Sequence, residues 1–122
     1  MEKGLKYSVS VRVDKTNSAA ALGSGNLEVF ATPAMVALME NAAMNAVASE
    51  LPEGSATVGT LLNVAHTRAT GMGDIVTAEA VLEEVDGRRL VFSVSAADSK
   101  GEIGKGKHER FIVDCERFLA KL

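Results

Sequence analysis

Three residues combine a reactive side chain with a setting that invites chemistry: Thr32, Glu40 and His66. On a helical wheel of about 100° per residue, Glu40 lies about 40° from Val36, inside the apolar arc that Val47, Ala43, Met39 and Met35 share. An ionised carboxylate is heavily penalised in apolar surroundings and is seldom placed there without a partner or a task. The plain alternative is a local partner, or a position near the edge of the arc, that lets it reach water. His66 is in phase with Leu62 and Val64 in an alternating stretch, on a face that also carries apolar side chains. It can equally be a core histidine satisfied by a backbone carbonyl. Thr32, directly before Pro33, suits a helix N-cap, worth about 1 kcal/mol. Together they offer a hydroxyl at a helix start, a carboxylate two turns along that helix and an imidazole on a strand the helix covers. Those are the parts of acid–base or nucleophilic catalysis.

The elements that must hold them are legible from periodicity. Tyr7, Val9, Val11 and Val13 alternate with polar residues, as in a half-buried strand. From Asp14 to Asn26 the chain turns to Ala, Ser, Gly and Asn, which reads as a loop able to cover something. Thr32 as N-cap and Pro33 at the first helical position start a helix that runs to about Glu50, where Leu51-Pro52-Glu53-Gly54 stops it. Period two then takes over. Thr57–Ala69, Ile75–Val85 and Arg89–Asp98 read as strands, with a hairpin turn at Asp86-Gly87. A last strand runs from Ile103 to about Phe118, with Phe111, Val113 and Cys115 on one side. One strand, a long helix and four further antiparallel strands make residues 1–122 a single α+β domain with the helix on a single sheet.

Composition removes several classes of function. The 122 residues are enough for one domain with a real core, 47% of them being hydrophobic. Thirteen basic against sixteen acidic residues leave a net charge of −3, no footprint for a phosphate backbone. Five scattered aromatic residues build no stacking platform. Nucleic acid is therefore not an expected partner. The lone Cys115 has no internal disulfide partner and reads as a small core residue in a reducing compartment. Neither a signal peptide nor a membrane span is legible, so the expected location is the cytoplasm, without membrane attachment. Two motifs fall short. Gly101 to Lys107 has the spacing of a phosphate-binding loop, but His108 replaces the magnesium-holding hydroxyl and a strand follows where a helix is needed. His108-Glu109 begins like a zinc-protease signature, but Ile112 stands in place of the second histidine. No metal is expected.

Four segments carry a resemblance to a known family: Phe30-Ala31-Thr32-Pro33, Leu38-Met39-Glu40, Val64-Ala65-His66-Thr67 and Gly104 through Arg110. From about Tyr7 to Leu122 the chain resembles the hot-dog thioesterases of the fluoroacetyl-CoA thioesterase-like group. In that group a Thr, a Glu eight residues later and a His 26 residues beyond form the catalytic set, and Thr32, Glu40 and His66 reproduce both intervals. The resemblance implies a hot-dog fold, a curved antiparallel sheet wrapped around a long central helix. It also implies a homodimer with the acyl-CoA pocket at or near the subunit interface. The chain departs from the group between its first strand and the Phe-Ala-Thr motif. Fluoroacetyl-specific members have an aromatic, proline-containing lid there, whereas Ser18–Glu28 has no aromatic residue. Pro33 also stands where those members have glycine.

The expected activity is hydrolysis of a small acyl thioester to free acid and CoA. It calls for no cofactor, CoA being part of the substrate. Glu40 attacks the carbonyl or activates water, His66 moves the proton toward the departing thiolate, and Thr32 orients the pair or is itself the nucleophile. Phe30, Gly59 and Thr60 are expected at the substrate, with backbone N–H groups near the helix start or in Gly59-Thr60 receiving the oxyanion. Two other readings fit the same groove: a non-catalytic acyl-CoA-binding dimer, and a hot-dog acyl-thioester hydratase or dehydratase.

Overall fold

The computed structural model describes residues 1–122. Strand β1 (Lys6–Arg12) leads into a short helix α1 (Ala19–Leu22), and the main helix α2 spans Thr32–Val47. Strands β2 (Ser55–His66), β3 (Ile75–Asp86), β4 (Arg89–Asp98) and β5 (Gly101–Asp114) follow, and a last helix α3 spans Cys115–Ala120. One antiparallel sheet contains all five strands in the order β1-β3-β4-β5-β2. Between β2 and β3 the chain crosses from one sheet edge to the strand beside the other edge, and β2 pairs with β5 alone.

Helix α2 lies on one face of this sheet. Met35, Met39, Ala42, Ala43, Ala46 and Val47 are its buried residues, and they join Val76, Ala78, Ala80 and Leu82 of β3 and Leu90, Phe92, Val94 and Ala96 of β4 in one core. Each fully buried large side chain here contributes about 1.5–3 kcal/mol, and the alanines let the helix backbone approach the sheet closely. The α+β expectation, with a long helix on a single sheet, is met.

Several boundaries move, each for a local reason. The stretch expected as a loop from Asp14 folds into a 3₁₀ turn at Lys15–Asn17 and into α1. Asp14 accepts from the Thr16 N–H at 2.8 Å and Ser18 Oγ from the Ala21 N–H at 3.1 Å, so each supplies a cap. Gly23, at φ 72°, closes α1 in the left-handed region. Thr32 is not the N-cap of α2: Ala31 occupies that position without a side-chain bond, Thr32 is the first helical residue and Pro33 the second. The helix ends at Val47 and a 3₁₀ turn, Ala48–Glu50, continues to the expected stop. Strand β5 ends at Asp114 because that carboxylate caps α3, accepting from the Arg117 N–H at 3.0 Å. Cys115 therefore sits half-buried at a helix start and not in the core. In β1 the alternation holds for Val9 and Val11, which pack on the core, while Tyr7 stays 45% exposed.

Candidate active site

The start of α2 is anchored by its neighbours. Phe30 N–H donates to the Thr70 carbonyl at 2.9 Å and Ala31 N–H to the Asn17 carbonyl at 3.0 Å. Thr70 is held in turn, its hydroxyl donating to Asp98 at 2.8 Å, and the other Asp98 oxygen takes Arg68 at 2.7 Å. Despite the cost of burying its carboxylate, Asp98 is held at a pKa of about 2 by the Arg68 and Thr70 hydrogen bonds. This chain of contacts sets where Thr32 points.

Thr32 Oγ1 lies 2.8 Å from His66 Nδ1. With the threonine donating, the ring proton sits on Nε2, a buried atom that no group of the chain satisfies. Burial pushes the His66 imidazole below its ordinary value, with the Arg68 backbone pulling the other way, so the neutral base is favoured near pH 7. The pair opens on a cavity of about 260 Å³ that Phe30, Ala19 and Ser24 also line. Two small residues of the Asp14–Asn26 segment thus lie at the cavity wall. Phe30 is 2% exposed and is a wall as much as a core residue.

Glu40 belongs to a second cluster. Eight residues along α2 place it about 12 Å further down the helix axis than Thr32 at ~1.5 Å per residue. Its carboxylate is neither enclosed by apolar groups nor in contact with His66: the side chain is 37% exposed and its Oε2 lies 3.5 Å from Arg110 Nη1. Gly59 makes room for it, since a Cβ there would stand 2.6 Å from Glu40 Oε2. Thr60, the next residue, is an extra residue in β2: Gly59 pairs with Arg110 and Leu61 with Glu109, so Thr60 forms a bulge and its hydroxyl donates to the Glu109 carbonyl at 3.2 Å.

Two residues of this cluster were not among the site residues expected from the sequence. Arg110 is 6% exposed, with Nε donating to Thr57 Oγ1 at 2.8 Å and Nη2 to the Thr57 carbonyl at 2.9 Å. Burial draws its guanidinium below the ordinary value, and the Glu40 charge draws it back up. His108 is fully buried, its ring over Phe92. Its Nδ1 lies 2.8 Å from the Leu61 carbonyl, which can only accept, so Nδ1 carries the proton and Nε2 accepts from Arg110 Nη1 at 3.1 Å. The signal was there: His108 and Arg110 are two apart on one strand, hence on one face of β5. No group of three or more His, Cys, Asp or Glu side chains is placed to hold a metal ion, and no helix is long and apolar enough to cross a membrane.

Comparison with known proteins bears on the whole chain. Residues 13–116 match the family model of the fluoroacetyl-CoA-specific thioesterase. The fluoroacetyl-CoA thioesterase of Streptantibioticus cattleyicolor is 50% identical over 95 residues, 78% of this chain and 68% of that protein. A solved structure of the fluoroacetyl-CoA thioesterase FlK superposes with a TM-score of 0.93 at 40% identity, over 99% of this chain and 94% of that one. A hot-dog-like protein from Thermanaerovibrio acidaminovorans gives a TM-score of 0.90 at 26% identity, over 99% and 90% of the two chains. The helix-on-sheet architecture is thus the hot-dog fold, and the chain belongs to the fluoroacetyl-CoA-specific thioesterase family and is a thioester hydrolase.

Proposed function

We propose that the protein hydrolyses a small acyl-CoA to the free acid and CoA, in the cytoplasm and as a homodimer, with Thr32, Glu40 and His66 as its catalytic set. The observation that carries this reading is the 2.8 Å contact between a threonine hydroxyl and an imidazole kept neutral by burial, facing a cavity. A neutral imidazole beside a hydroxyl can take a proton from a nucleophile and return it to the departing CoA thiolate. The Glu40 carboxylate, oriented by Arg110, attacks the carbonyl or activates water. Backbone N–H groups at the Gly59-Thr60 bulge or at the start of α2 receive the oxyanion. CoA enters as substrate, and no step calls for a metal or other cofactor.

The separation of Glu40 from the Thr32–His66 pair within one copy supports the dimer. Strand β2 lies at the sheet edge, with backbone groups on its outer side open to another chain. Two such edges pairing antiparallel about a twofold axis near Leu62 and Asn63 set Gly59 of one copy opposite the partner's His66. Glu40, beside Gly59, then approaches the partner's Thr32 and His66, and both clusters reach one thioester.

The test is a panel of short-chain and aromatic acyl-CoAs with free thiol and enoyl absorbance followed together. Thiol release that His66→Ala abolishes is the expected result. An absorbance change without thiol means a hydratase, and saturable binding with neither means a binder; each overturns the proposal. Mixing Glu40→Gln with His66→Ala protein recovers part of the turnover if the site is shared between copies.

A further inference from the structure

The cavity that Thr32 and His66 share is lined by one permanently charged side chain, Arg68, and by no carboxylate. In a chain of net charge −3 that is a local reversal of sign. Arg68 follows His66 by two residues, so their Cα atoms lie at most about 7 Å apart. The main chain is pinned there, because the Thr67 and Arg68 N–H groups both donate to the Ile103 carbonyl, at 2.8 and 3.3 Å. The guanidinium is pinned as well. Its Nη2 donates to Asp98 at 2.7 Å and to the Gly101 carbonyl at 2.8 Å, and the Asp98 side chain is only 2% exposed. Both Nη2 hydrogens are thereby used, while Nε and Nη1 meet no acceptor in the chain. Asp98 and Gly101 thus orient the arginine and leave three of its five N–H groups open, on a side chain that is 36% exposed.

We infer that Arg68 selects the acyl group: the preferred substrate is a short dicarboxylic acyl thioester, whose free carboxylate takes the open N–H groups of Arg68 while its thioester carbonyl lies at Thr32 and His66. The assignment rests on the acyl-CoA reading above and adds the class of acyl group. Guanidinium to carboxylate hydrogen bonds are about twice as strong as neutral ones, and partial enclosure strengthens them further. An acyl chain that ends in a methyl group displaces water from the same N–H groups and offers no acceptor in return. A volume of about 260 Å³ suits a short chain, since it lies below the range of drug-sized sites.

Succinyl-CoA and butyryl-CoA differ only in a carboxylate against a methyl at the acyl end. The ratio of their kcat/KM values, each taken over an enzyme-free blank, therefore reads this contact and cancels what the two thioesters share. The wild type is expected to favour succinyl-CoA about tenfold or more. The double variant Arg68→Gln, Asp98→Asn removes both charges together, so that neither is left buried alone, and is expected to lower the ratio about tenfold or more. Arg68→Lys keeps the charge and is expected to retain part of the preference, and urea titration confirms that both variants fold. A wild-type ratio below one overturns the proposal. Equal losses for the two thioesters in both variants also overturn it, since Arg68 then serves the shared CoA portion or the fold alone. If the wild type releases thiol from neither, calorimetric titration separates the two readings. Tighter binding of succinyl-CoA that the variants lose keeps the site and sinks the hydrolase reading, whereas equal affinities sink both.

Discussion

The Thr32 hydroxyl and the His66 imidazole, 34 positions apart, meet at 2.8 Å, and the threonine forms no cap bond at the start of α2. A threonine there for helix stability would bond the helix. This one bonds a base. Thr32→Ala is therefore expected to lower kcat about 10²-fold or more while shifting stability by no more than about 0.5 kcal/mol. Thr32→Ser keeps most of the rate. Thiol-release kinetics beside urea titration check both, and an equal loss of activity and stability would return Thr32 to a structural role.

Glu40 and Gly59 act on the same space. Glu40→Gln keeps the shape and removes the charge, with an expected loss in kcat of about 10²-fold to 10⁴-fold. Gly59→Ala keeps the charge and displaces it, because the new Cβ would stand 2.6 Å from Glu40 Oε2 and 3.3 Å from His108 Cε1. The carboxylate is the mobile end of a side chain and can yield, so activity falls at least tenfold while the thermal midpoint moves little. A Gly59→Ala enzyme with full turnover would separate Glu40 from the reaction.

Acid sensitivity follows from two imidazoles, the half-buried His66 and the buried His108. Burial lowers His66 and His108 below 6.5 in the folded protein. As pH drops past 6.5 the unfolded chain takes up protons first. Stability is therefore full above that value and falls as pH descends through the lowered folded values, for His108 by at most about 1.4 kcal/mol per pH unit. Protonating His108 also puts a proton on Nε2, where Arg110 now donates. Urea midpoints at pH 8, 6.5 and 5 are expected to decline in that order, and His108→Gln to flatten the decline.

Gly106 is expected to tolerate no side chain. A Cβ there would run into the Asn63 carbonyl oxygen and come within 2.6 Å of Val64 Cα, both backbone atoms of β2. Overpacking of this kind costs about 1–3 kcal/mol, and Gly106→Ala should show it in the urea midpoint. Gly87→Ala, at a turn with open space around it, is the comparison for backbone strain alone.

Gly106 also shows where the sequence was legible and where it was not. The glycines and lysines from Gly101 to Lys107 match the spacing of a phosphate loop, and only His108 in place of a hydroxyl and the strand pattern after it argued otherwise. In the fold, Gly104 and Gly106 are small because β2 lies against them, a neighbour about 40 positions away that no local pattern announces. Strand β4 ran from Arg89 to Asp98 as its alternation predicted, because burial on one face writes period two directly into the chain. Helix α1 was missed because its residues bury nothing and its order comes from its cap, Ser18, and from the Asp14-capped turn before it. At the site, the intervals between Thr32, Glu40 and His66 were readable. The guanidinium that meets Glu40 was not, because it arrives from 70 positions away with its geometry set by Thr57 and His108.

The Leu61 carbonyl decides which nitrogen of His108 holds hydrogen, and through it where the Arg110 fork points. Leu61 contributes only main chain to that arrangement, and its own side chain is 43% exposed. Replacements at position 61 that keep the main chain thus leave the Arg110 fork in place, whereas proline reroutes the peptide and silences an enzyme whose reactive groups are all still there.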